Sequence, residues 1–133
     1  MVTTYFMNCI MGNVFHSKTD PSLPSTMYIG LSSSAPSLDG SGVTEPTGGN
    51  YTRVLFTNLS EPSDGTITNS QDVEFPESTA DWGTMTHYVI YDSKTGGTLL
   101  AYGDLEKARV IQAESQARFL AGRITITLQN STT

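Results

Sequence analysis

Residues 75–105 read FPESTADWGTMTHYVIYDSKTGGTLLAYGDL, and the fold follows from them. Over residues 84–91, Met85, His87, Val89 and Tyr91 point one way, and Thr86, Tyr88 and Ile90 the other. A period of two marks a β-strand. The polar run 92–97 ends in Gly96-Gly97, which accept positive φ without steric cost. A second strand returns over 98–103, so the unit is a β-hairpin with a loop of about four to six residues. Large apolar groups on both faces place this hairpin centrally, buried on both sides, as in a sandwich or small barrel. Trp82 and Gly83 stand at its entrance, with the indole plugging one end of the core and Gly83 admitting close approach.

Upstream, residues 26–32 form a first strand with Met27, Ile29 and Leu31 on one face. Residues 51–59 form a second, Val54 and Phe56 opposite Tyr51, Arg53 and Leu55. Arg53 sits in mid-strand among apolar neighbours. Such an arginine snorkels at an edge, pairs with a carboxylate of its own chain, or serves an interface. Residues 66–75 are extended, anchored by Ile67, Val73 and Phe75. Downstream, residues 104–112 read as a turn and a short strand, and 117–121 as another. Residues 123–129 carry the cleanest alternation, with Ile124, Ile126 and Leu128 inward. The longest irregular stretch is 33–50, SSAPSLDGSGVTEPTGGN. An ordered loop of that length is usually a contact or binding loop. Its Asp39-Gly40-Ser41-Gly42 segment lacks the repeated acidic ligands of a calcium loop.

The first fifteen positions follow another period. Tyr5, Phe6, Cys9 and Ile10 recur at helical spacing, broadened by Val2 and Met7. A stripe so wide must lie against the body of its own domain or against a neighbouring subunit. Tyr5, Phe6, Ile10 and Phe15 are therefore interface candidates, together with Arg53. A linker containing Pro21 and Pro24 leads into the strands. The expectation is an all-β protein with about seven or eight short strands and a short N-terminal helix. Its architecture is a single antiparallel β-sandwich or jelly-roll-like barrel. One domain spans 1–133: a helix-and-linker arm at 1–25, a β body at 26–129 and a polar tail at 130–133.

Composition excludes several functions. The net charge is −6, against nucleic-acid binding and against adsorption to anionic membranes. The apolar N-terminal run falls short of the roughly 20 residues that cross a bilayer, and it lacks a signal peptide's basic region. One cysteine, Cys9, allows no internal disulfide. There is no Gly-rich phosphate loop and no G-x-S-x-G elbow. The two histidines, His16 and His87, are too far apart for a local metal motif, and one cysteine makes no zinc site. His87, on an apolar strand face, reads as a hydrogen-bonded structural residue. Glu74, Glu77 and Asp81 gather around Trp82 as glycosidase carboxylates would, but a solvated loop makes the same pattern. No catalytic, cofactor-binding or metal-binding residue is assigned. For a glycan ligand, Trp82, Tyr91 and Tyr102 would be stacking platforms.

One set of motifs carries a resemblance. It comprises Tyr28-Ile29-Gly30-Leu31, then Gly42-x-x-Glu45-Pro46-x-Gly48-Gly49-x-Tyr51-x-Arg53, then Asn69-Ser70. It continues with Phe75-Pro76-x-x-Thr79-Ala80-x-Trp82-Gly83-x-x-Thr86-His87, then Asp92, Gly96-Gly97, Leu100 and the closing Gly122-x-Ile124-Thr125-Ile126-Thr127-Leu128. The chain resembles, over nearly its whole length, small bacteriophage structural proteins labelled tail fibre or minor virion proteins. The resemblance implies a virion component without catalytic activity, assembled in the bacterial host cytoplasm. With no heptad array and no collagen-like repeat, such a chain suits a compact knob rather than a long shaft. It would serve as capsid decoration or short head fibre, or as a tail-fibre or baseplate part. Its partners would be major capsid or tail proteins and further copies of itself, with a trimer among the candidate arrangements. The alternative is a module that binds a host-surface glycan.

Overall fold

In a computed structural model, which describes residues 1–17 and 21–128, one α-helix precedes eight strands. Residues 18–20 of the linker and the polar tail at 130–133 lie outside the described residues. The elements are α1 (Thr4–Phe15), β1 (Tyr28–Ser32), β2 (Val54–Leu55), β3 (Thr66–Thr68), β4 (Val73–Glu74), β5 (Gly83–Tyr91), β6 (Leu99–Ile111), β7 (Arg118–Phe119) and β8 (Thr125–Thr127). The hairpin is β5 and β6, turning at Gly96 and Gly97, whose φ values are +61° and +74°. β1 adds antiparallel to β5, placing Ile29 opposite Ile90 and Leu31 opposite Tyr88. The resulting sheet runs β2-β1-β5-β6, and two ribbons, β3-β8 and β4-β7, complete the strands. All pairings are antiparallel, and no sheet among the described residues closes into a barrel.

The main core joins one face of the large sheet to the ribbons. Ile29, Leu31, Met85, Tyr88 and Ile90 meet Val73, Phe75 and Ile124, all buried. Each such side chain contributes about 1.5–3 kcal/mol by leaving water. On the opposite face Val89, Tyr91 and Leu99 form a smaller cluster, covered by Val43 of the long loop and by Tyr102. The hairpin is thus buried on both faces, as its two apolar sides require.

The alternation predicts Met85 on the face of Val89, yet Met85 joins the Tyr88 and Ile90 cluster. A register shift between Met85 and His87 is the cause: Met85 pairs with Arg109 while His87 pairs with Asp104. Such an irregularity carries a side chain to the other face. β6 also runs on through the turn expected at residue 104. Its partner β5 continues beyond the irregularity to Gly83, opposite Ile111, which keeps the chain extended.

The extended stretch 66–75 splits into β3 and β4 around Asn69. This buried amide donates to the carbonyls of Gln71 (2.8 Å) and Leu120 (3.0 Å) and accepts from the Ile124 N–H (2.9 Å). Backbone groups that would otherwise continue a ladder are satisfied by that side chain. The second expected strand shrinks to Val54–Leu55, with Leu55 largely exposed. In the last strand Ile124 is fully buried and Ile126 half-buried, but Leu128, expected inward, is exposed. It lies past the end of the short β3-β8 ribbon, where no inner face continues.

Gly83 has open space where a Cβ would stand, so its role is its φ of +92°. The close approach to Trp82 is made by Gly49, where an added Cβ would lie 3.1 Å from the indole nitrogen. The Trp82 N–H donates to the Gly49 carbonyl (2.9 Å), and its ring meets Tyr51 edge-on at 5.2 Å.

Candidate functional site

Arg53 is 8% exposed and ties together three parts of the chain. Its Nη2 sits 2.7 Å from Glu45 Oε1, and its Nε donates to Glu45 Oε2 at 3.1 Å, a two-pronged grip on the long loop. Nη1 donates to the carbonyls of Ser93 (2.8 Å) and Gly96 (2.7 Å) in the hairpin turn. The guanidinium carbon lies 3.6 Å from the centroid of the Tyr91 ring. The Tyr51 hydroxyl donates to Glu45 Oε2 (2.5 Å) and accepts from the Leu31 N–H (3.0 Å). Burial, then the bond to Glu45, pushes the Tyr51 hydroxyl far above the usual tyrosine range. Burial works against the Arg53 charge, but the Glu45 carboxylate more than restores it, raising its pKa. The polar side-chain atoms of Arg53, Glu45 and Tyr51 are each engaged within the chain, so the cluster fastens the long loop to the hairpin turn.

The proposed stacking aromatics differ in access. Trp82 (7% exposed) is enclosed by Tyr51 and Phe75, and Tyr91 (9% exposed) lies beneath Arg53. Tyr102 is half-buried against Val89 and Tyr91. His87 is engaged on both ring nitrogens: Nδ1 lies 2.7 Å from Thr86 Oγ1 and Nε2 lies 2.7 Å from Asp104 Oδ1. The carboxylates near Trp82 are not gathered on one another: Glu77 is exposed, and the other two have separate partners. Glu74 pairs with Arg118 (3.4 Å), and Asp81 accepts from the Ala113 N–H (2.8 Å). Among the described residues no group of three or more His, Cys, Asp or Glu side chains is placed to hold a metal ion. No helix among them is long and apolar enough to cross a membrane.

The N-terminus is built as an attachment to the edge of β6. The Thr3 N–H donates to the Leu100 carbonyl (2.9 Å), the Tyr102 N–H to Met1 (2.9 Å), and Val2 bridges to Ala101. Thr3 caps α1, accepting from the Phe6 N–H (3.3 Å) while its own hydroxyl donates to Leu99 (2.8 Å). These bonds fix which side of α1 faces the body. Cys9 is buried, and Phe6, Ile10 and Asn13 are half-buried beside it. Asn13 holds the linker by donating to the Pro21 carbonyl (2.8 Å). The outward side carries Met7 (52% exposed), Met11 (55%), Val14 (60%) and Phe15 (77%). Of the sequence-based interface residues, Phe6 and Ile10 therefore face the chain's own body, while Phe15 and the partly exposed Tyr5 lie toward solvent. The sequence reading took Met7 only as broadening the one stripe and passed over Met11 and Val14, because two apolar stripes overlap on one short helix. Their steps of four and three residues were the available signal.

A model of the family described as Podophage GP4 fiber I protein gp80 matches residues 1–127. No curated protein matches the chain.

Proposed function

The chain belongs to the podophage GP4 fiber I protein family, a family of virion fibre structural proteins, and from that premise we propose that it is a non-enzymatic exterior component of the particle, anchored through α1. Of capsid decoration, short head fibre, tail fibre and baseplate, the family description favours a fibre part. The single observation that carries the anchoring is the outward stripe of Met7, Met11, Val14 and Phe15. α1, TYFMNCIMGNVF, has no charged side chain, and Thr4 and Asn8 are the exposed polar groups it carries beside that stripe. A contiguous apolar surface of this kind marks a contact with another protein. Copies of this acidic chain repel one another generally, and an uncharged helix is where they can meet without that cost. α1 thus joins copies of the chain, a trimer being one fitting arrangement, and seats them on a capsid or tail protein. The β body, read as one sandwich-like unit over residues 26–129, projects outward.

The test is complementation. Phage lacking this gene would be grown with wild-type chain or with Met7→Glu/Met11→Glu supplied in trans. The expected result is particles that incorporate the wild type and exclude the variant, while the purified variant keeps its circular dichroism and denaturation midpoint. Incorporation of the variant at wild-type level would overturn the anchoring. The alternative, recognition of a host-surface glycan, draws more support from the half-buried Tyr102 than from Trp82 and Tyr91, whose rings are packed inside the chain.

A further inference from the structure

The irregularity that moves Met85 also opens a cleft. Because Met85 pairs with Arg109 and His87 with Asp104, residues 105–108 have no partner in β5. This unpaired part of β6, with residues 115–120 and Arg123, lines a cleft of about 500 Å³. Its charge is opposite to that of the protein. Lys107, Arg109, Arg118 and Arg123 line it, four of the chain's seven Lys and Arg, against only Asp104 and Glu106 of its thirteen Asp and Glu.

Two of these cations are already used. Arg123 pairs with Glu106 (3.1 Å) and Arg118 with Glu74. Lys107 and Arg109 are exposed, and among the described residues neither side chain has an ion-pair or hydrogen-bond partner. They stand two residues apart on an extended strand, a separation of about 6.6 Å. Beneath them the floor is apolar, with Met85, Tyr88 and the half-buried ring of Phe119. Ser115 and Gln116 also line the cleft, the Gln116 amide donating to the Phe75 carbonyl (3.1 Å).

We infer that this cleft binds an acidic glycan, its carboxylate or phosphate groups held by Lys107 and Arg109 and a sugar face resting on Phe119. A ligand with sparse charges, many hydroxyls and an apolar face matches a wall of two unpartnered cations over an aromatic floor. A nucleic acid matches poorly, because a dense polyanion meets a chain of net charge −6. A virion fibre faces the outside of its host, where such saccharides are met. The site lies on the β body and is independent of anchoring by α1.

The purified full chain would be titrated calorimetrically with oligogalacturonate, which is carboxylated, with a phosphorylated oligomannoside, with neutral maltoheptaose, with a short poly-glutamate and with inorganic phosphate. Saturable binding of one or both acidic saccharides, weakened by salt and at least tenfold weaker in Lys107→Glu/Arg109→Glu, is expected. The saccharide that binds tells carboxylate from phosphate recognition. Lys107→Gln/Arg109→Gln should weaken binding in the same direction, and Lys94→Glu, in the hairpin turn, should leave it unchanged. Circular dichroism would show each variant folded. The inference is overturned if neither acidic saccharide saturates, or if maltoheptaose, poly-glutamate or phosphate alone binds as well. It is also overturned if Lys94→Glu weakens binding as much as the cleft variants.

Discussion

The guanidinium carbon of Arg53 lies 3.6 Å from the ring centroid of Tyr91, on the side of the sheet opposite the main core. From that position Arg53 reaches Glu45 in the long loop and the Ser93 and Gly96 carbonyls in the hairpin turn. A cation held over an aromatic face and forked onto a carboxylate suits arginine and not lysine. The long loop is thereby fastened to the hairpin with no ladder between them.

Removing that arginine should be costly. Arg53→Met leaves Glu45 largely buried without its counter-charge, and the expected loss is about 3–5 kcal/mol. Arg53→Lys keeps the charge but loses the fork, for about 1–3 kcal/mol. Adding Glu45→Gln to Arg53→Met should recover part of the loss. Urea denaturation of the single and double variants closes the cycle, and strictly additive losses would show that the two residues do not act as a pair.

Gly30 should tolerate no side chain. A Cβ there would run into the Tyr51 hydroxyl, the Glu45 carboxylate and the Arg53 stem. Gly30→Ala is expected to cost about 1–3 kcal/mol, the range for overpacking. In a Tyr51→Phe background the nearest obstructing atom is gone, so the same substitution should cost less. An equal cost in both backgrounds would place the strain elsewhere.

Alkaline pH should unfold the chain early. Burial foremost raises the hydroxyl pKa of Tyr51, Tyr88 and Tyr91. Their contribution to stability is whole below about pH 10, the ordinary tyrosine value. Above it the unfolded chain ionises while the folded chain does not, so stability falls by about 1.4 kcal/mol per pH unit for each tyrosine kept neutral. Denaturation series between pH 9 and 11.5 would show this slope, and Tyr51→Phe should make it shallower. A level profile would contradict the assignment.

Asn69 should behave as a core residue. Asn69→Ala leaves the carbonyls of Gln71 and Leu120 and the Ile124 N–H without their partner, at about 1–3 kcal/mol for the first group stranded. Asn69→Asp is expected to be worse, because it removes two donors and buries a charge. Hydrogen exchange at the Ile124 amide, protected in the wild type, should rise in both variants before global unfolding does. Unchanged protection would remove Asn69 from this role.

The sequence alone determined what depends on neighbours along the chain. The alternation of residues 84–91, the positive φ at Gly96 and Gly97 and the helical spacing before Phe15 each belong to a local period or a local steric rule. So the antiparallel hairpin, the mostly β body and the N-terminal helix were legible in advance. Other features were decided by groups far apart in the chain. Arg53 could be read as snorkelling, as paired with a carboxylate or as serving an interface, and Glu45 became its partner only when the long loop folded back. Met85 changed faces at a shift where β6 supplies residues 105–108 between the partners of Met85 and His87, a matter of pairing register that one strand cannot reveal. Which stripe of α1 stays outside was set by Met1, Val2 and Thr3 joining β6 a hundred residues away. The cleft beside Lys107 and Arg109 lies where residues 105–108 of β6 have no partner in β5. Backbone conformation is settled within a few residues, whereas burial, charge pairing and exposure are settled by contacts that form only when the whole chain closes on itself.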